Sequence, residues 1–139
     1  MKTYELIEHT ADVGIKAFGG SLSECFANAA KGMFDIITDK SAVGSVGQYD
    51  ITLTAPDLEQ LLVDWLSELL FIHSAENIVF GSFNVAVNEK AHSLHAEVFG
   101  EPYNNQKHGY GVEVKAVTYH MLKIEKSPAG CVGQVIFDI

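Results

Sequence analysis

The stretch DLEQLLVDWLSELL, residues 57–70, decides the fold class. Leu58, Leu61, Leu62, Trp65, Leu66, Leu69 and Leu70 recur at i, i+3, i+4, i+7 spacing, which puts them on one side of an α-helix. Gln60, Asp64, Ser67 and Glu68 take the other side, so the helix needs a layer to cover its apolar face. Pro56 precedes it, Asp57 can cap it, and Gln60 stands where a reciprocal capping side chain would. A second helix is predicted upstream. Ser21 and Glu24 make a capping box, followed by Leu22, Phe26, Ala29, Ala30, Met33, Phe34 and Ile37 at helical spacing.

Working outward, strands surround both helices. Tyr4–Glu8 and Val13–Phe18 precede the first, and Ile51, Leu53 and Ala55 alternate with threonines before the second. Phe83–Val87, Leu94–Phe99, Val112–Val117, Met121–Ile124 and Cys131–Ile139 follow. Lys126-Ser127-Pro128-Ala129-Gly130 reads as a hairpin turn. Strands that crowd the C-terminal half without alternating helices favour α+β: two helices packed on mainly antiparallel sheets, in one domain spanning 1–139. The order of elements hints at two duplicated βαββ-like units, without a residue-level repeat. Lys40–Gln48 and Gly100–Gly111 read as flexible loops.

Composition excludes several functions. Nine basic against eighteen acidic residues give a net charge of −9. Grip on RNA comes mainly from lysine and arginine neutralising phosphates, so this chain is not expected to hold RNA by itself. Such a surface suits a basic partner or divalent cations. Cys25 and Cys131 are widely spaced in sequence and read as buried thiols. Without a signal-like N-terminus or an apolar span of membrane length, the expectation is a soluble, cytoplasmic protein.

Three places could carry chemistry. His9 and Asp12 in EHTAD can offer an imidazole and a hard oxygen to one ion; alternatively Asp12 caps a surface turn. At the end of the chain, FDI places the Asp138 carboxylate near the terminal carboxylate of Ile139. Two such groups repel unless a cation or a base lies between them, though both could simply be solvated. Lys115, in EVKAVTYH, is either a snorkelling strand residue or a positive charge offered to a phosphate or acid. No P-loop, GxGxxG, GxSxG, HExxH or catalytic triad is present.

YELIEHTADV (residues 4–13), Met33-Phe34 to Thr38-Asp39, the Leu58–Leu70 helix, GEP (100–102), VKAVTY (114–119) and the final DI resemble the archease family along the whole chain. The resemblance implies an activator of the RtcB-type RNA ligase, which joins RNA ends through a guanylylated histidine in tRNA splicing and repair. It implies a divalent cation, Ca²⁺ first and Mg²⁺ or Mn²⁺ as alternatives, held by Asp12, Asp138 and the Ile139 carboxylate. Lys115, with Asp12 and His9, is implied in activation, and RNA is reached only through the ligase. The competing expectation is a general chaperone or adaptor for an RNA-modifying enzyme such as a tRNA methyltransferase. A small hydrolase using Asp12, His9 and Asp138 would need a nucleophile that the sequence does not offer.

Overall fold

The computed structural model describes residues 2–8, 12–39 and 42–139. Two helices carry most of the apolar burial. The first, α1 (Leu22–Ile37), starts at Ser21, whose hydroxyl accepts from the Glu24 N–H at 3.2 Å, while the Glu24 carboxylate accepts from Gly20 N–H. The second, α2 (Leu58–Glu76), is capped by Asp57, which accepts from Gln60 N–H. Its expected reciprocal half is absent: Gln60 instead donates to Asp64 and to the Tyr119 hydroxyl. A longer amide with partners on two sides has no need to fold back on the cap. Asn77, in the left-handed region, ends the helix.

Strands β1 (Tyr4–Glu8), β2 (Asp12–Gly19), β3 (Gly47–Thr54), β4 (Ile78–Asn88) and β5 (Ser93–Pro102) alternate with these helices. A single turn, α3 (Asn105–His108), then leads to β6 (Ala116–Val117), β7 (Lys123–Ser127) and β8 (Gly130–Asp138). One antiparallel sheet has the order β1-β2-β8-β6, with β7 also on β8, and the other has the order β3-β5-β4. The fold is thus α+β, as the helix spacing and the strand-rich second half predict. The first sheet is built from both ends of the chain and the second from its middle, so neither half of the chain forms a sheet alone.

Both helices lie against strands of both sheets. Leu61, Leu62, Trp65, Leu66 and Leu69 of α2 meet Phe26, Ala30, Met33 and Phe34 of α1 in one buried cluster. The Trp65 indole N–H donates to the Phe26 carbonyl at 2.9 Å, which satisfies the one polar atom that this side chain buries. Both cysteines are buried, as their wide spacing suggests. Burial, with the Cys131 thiol beside it, pushes the Cys25 thiol up to about 12, so it stays protonated.

Four segments differ from expectation. β4 runs over Ile78–Asn88, well beyond Phe83–Val87, with a bulge between Phe80 and Ser82 that re-registers the longer strand. The strand expected at Met121–Ile124 begins only at Lys123, because Met121 has φ 54° and turns the chain. Only Ala116–Val117 of Val112–Val117 joins a ladder. Upstream, the Gly111 and Val112 N–H groups donate to the Ile37 and Ile36 carbonyls at the end of α1. Helix ends leave such carbonyls unpartnered, and here the incoming chain satisfies them instead of a neighbouring strand. A Cβ at Gly111 would lie 2.0 Å from the Ile36 oxygen, so only glycine allows this approach.

The fourth difference is at Gly100–Gly111. Gly100 to Pro102 finish β5, α3 follows, and His108 is fully buried.

Candidate metal and activation site

Register is what assembles the site. β2 and β8 pair antiparallel with Asp12 directly opposite Asp138 and Val13 opposite Phe137. Residues so opposed have Cβ atoms about 4.5–5.5 Å apart and project from the same face. Two carboxylates, one near each end of the chain, therefore stand side by side at the last rung of the ladder. Val13 and Phe137, one step inward, are buried and fix that register.

The two acids have different surroundings. Asp138 is exposed, whereas Asp12 Oδ1 is buried and has no hydrogen-bond partner among the described residues. An orphaned carboxylate oxygen facing a second carboxylate is costly unless a cation or donor meets it. Ile139, which follows Asp138 directly, is half-buried at that corner. A donor set made only of oxygens suits hard cations such as Ca²⁺ and Mg²⁺. No group of three His, Cys, Asp or Glu side chains gathers among the described residues. A cation here would complete its shell with carbonyls and water.

Lys115 comes to the same corner. Its N–H donates to the Asp138 carbonyl at 2.7 Å, and Ala116 pairs with Asp138 in the adjoining ladder. Its side chain is exposed and makes no ion pair among the described residues. The structure thus brings Asp12, Asp138, Ile139 and Lys115 together. His9, the remaining candidate, lies outside the described residues.

A second polar cluster, with no counterpart among the candidate site residues of the sequence, lies at the end of β5. The buried Glu101 carboxylate accepts from Gly44 N–H, pairs with Lys107 at 2.8 Å, and meets His108 Nε2 at 3.1 Å. The Lys107 hydrogen bond and then those from Gly44 and His108 hold its carboxyl at about 2. The Tyr103 ring stacks on His108, and the Tyr103 hydroxyl donates to the Gly109 carbonyl. These contacts order the run between β5 and β6 and tie it to Gly44. A signal was available: an acid before proline at a strand end, followed by the adjacent Lys107 and His108. Because the Glu101 pKa is depressed, its contribution to stability is present above the ordinary value of 4.5 and disappears as pH falls toward about 2. Glu101→Gln should lower the thermal midpoint at neutral pH by several degrees. The gap to wild type should close as the pH is lowered through that window, as followed by circular dichroism.

Comparisons with known proteins place the chain in a family. The model of the Archease protein family matches residues 4–139. The protein archease of Methanosarcina acetivorans is 45% identical over 99% of this chain and 97% of its own length. That of Pyrococcus furiosus is 39% identical, with 100% of both chains covered. The solution structure of a Methanobacterium thermoautotrophicum protein superposes with a TM-score of 0.85 at 40% identity, covering 100% of both chains. An archease from Thermotoga maritima, described as a possible chaperone, shares the fold at a TM-score of 0.62 and 19% identity, over 97% of this chain and 96% of its own. A match that runs from β1 to the last residue, and so includes both strands that carry the opposed aspartates, means that this chain belongs to the archease family.

Proposed function

We propose that this chain is a non-catalytic activator of an RtcB-type RNA ligase in the cytoplasm, promoting ligase guanylylation and repeated turnover in tRNA splicing and RNA repair. The observation that carries the reading is the buried oxygen of Asp12, without a hydrogen-bond partner among the described residues and opposite Asp138, with the Lys115 N–H donating to the Asp138 carbonyl. Asp12, Asp138 and the Ile139 carboxylate would hold a divalent cation, Ca²⁺ first, with Mg²⁺ or Mn²⁺ as alternatives. When bound, the cation supplies positive charge at an acidic tip. Asp12 and Asp138 set its place, and Lys115 offers a second positive charge to a nucleotide phosphate or an acidic group of the partner. His9 belongs to the same motif and is assigned to the same role.

Guanylylation brings a triphosphate and a histidine together, and its barrier is lowered mainly by positioning and charge neutralisation. A small protein that contributes ordered charges to that step need not carry a nucleophile. Its net charge of −9 leaves the holding of RNA to the ligase.

The second reading, a general chaperone or adaptor for an RNA-modifying enzyme such as a tRNA methyltransferase, draws on the exposed Phe71, Tyr110 and Tyr119. It would tolerate loss of Asp12. The deciding experiment adds this protein in substoichiometric amount to a purified RtcB-type ligase with GTP and divalent metal. Wild type should raise multiple-turnover guanylylation, and Asp12→Ala and Lys115→Ala should each remove most of that gain. No effect at any ratio would remove the activator role and favour the adaptor.

A further inference from the structure

Exposed apolar side chains are unevenly placed on this protein. Among the described residues seven large ones stand well out of the surface, and six of them collect around one segment. Tyr110, Val112, Tyr119 and Met121 lie on residues 110–121 themselves. Phe71 shares a cleft with Lys115–Val117, and Leu6 shares another with Val112. Three are aromatic and largely uncovered: Tyr110 is 75% exposed, Phe71 66% and Tyr119 62%. Single exposed apolar residues are ordinary, but a concentration of aromatic ones marks a surface that another molecule covers.

The charges beside this segment narrow the occupant. Its clefts are bordered by Asp35, Asp39 and Glu113 against Lys115, with Asp35 itself paired to Lys31. A second copy would bring a net charge of −9 against the same acids, and nucleic acid would bring phosphates. A protein with apolar side chains set among lysines and arginines meets both features. Such surfaces surround clefts that bind anionic nucleotides.

We propose that segment 110–121, with Phe71, is the docking surface for that basic protein partner, and that affinity resides there and not in the Asp12–Asp138 pair. This rests on the activator reading and divides its labour. The segment that supplies the apolar contacts also carries Lys115, whose N–H is bonded to Asp138, so seating the partner places the acidic corner at the same time.

The test uses purified full-length protein and the RNA ligase, with affinity read by calorimetry and multiple-turnover ligation read across a concentration series. Phe71→Ser combined with Tyr119→Ser should weaken binding by about tenfold or more, the loss of a hot-spot contact. The activation plateau should return at saturating protein. Asp12→Ala should do the reverse, losing the plateau while binding within about threefold of wild type. Wild-type affinity should also fall as salt is raised. Tyr110→Ser serves as an independent variant should the double one unfold. Wild-type affinity in both serine variants would overturn the docking surface while leaving the activator reading intact. So would a wild-type dimer, seen by sedimentation, that Phe71→Ser dissociates, since the occupant would then be a second copy. A wild-type protein that neither binds nor activates the ligase would fail both, and is recognised because no variant is needed to see it.

Discussion

Asp12→Asn is expected to make this protein more stable in chelator and to abolish its response to calcium. In wild type without a cation, a buried Asp12 carboxylate oxygen has no partner among the described residues, and Asp12 stands opposite Asp138 in the ladder. Replacing one of two opposed acidic side chains with a neutral amide removes a like-charge neighbour, a gain of about 1 kcal/mol. Adding Ca²⁺ reverses the ranking. A ligand that binds only the folded state at one hundred times its dissociation constant stabilises by about 2.7 kcal/mol. Wild type should therefore rise in thermal midpoint on adding calcium, while Asp12→Asn stays where it was. Paired thermal melts in chelator and in calcium check both halves. A variant that is less stable in chelator, or equally responsive to calcium, would contradict the assignment.

The second large effect lies in the core. Trp65→Ala should cost about 3–5 kcal/mol, the range for emptying a buried aromatic site. Trp65 is completely buried, touches both helices' apolar faces, stands edge-on to Phe83 at 6.4 Å, and donates to the Phe26 carbonyl. A domain of this kind has a total stability of about 5–15 kcal/mol, so the loss is a large share of it. Trp65→Phe separates the contributions: it keeps most of the apolar contact and removes the N–H bond, a loss of about 1 kcal/mol. Urea unfolding of the three proteins measures both steps.

These two sites differ in how far the sequence announces them. Trp65 is legible because its surroundings are local: leucines at helical spacing, Asp57 at the cap and polar residues opposite. The same holds for α1, where Ser21 and Glu24 settle the start. Asp12 and Asp138 are legible only as separate acids, since nothing local says that β2 and β8 share a ladder or that their register sets one opposite the other. The family resemblance joined them; register then gave the physical reason. Lys115 reaches that corner through its backbone, in a different local structure from the strand its alternation predicts. Its segment pairs first with carbonyls at the end of α1, and pairing between a loop and a helix end leaves no periodic trace. The Glu101 cluster is only faintly legible in the sequence, for a related reason. Its partners Gly44, Lys107 and His108 come from two stretches whose glycine, asparagine and proline content reads as loop.

No helix among the described residues is long and apolar enough to cross a membrane. A net charge of −9 and the exposed side chains of Phe71, Tyr110 and Tyr119 accompany the acidic corner. On the activator reading, that corner acts only when its charges are held in place, so where the cation sits is the central question.

The most direct measurement is a crystal structure of this protein grown with calcium, with anomalous scattering recorded at long wavelength. The account predicts a calcium peak at the end of the β2–β8 ladder, about 2.3–2.6 Å from carboxylate oxygens of both Asp12 and Asp138. A peak elsewhere, or none at that corner with calcium present in excess, would contradict it.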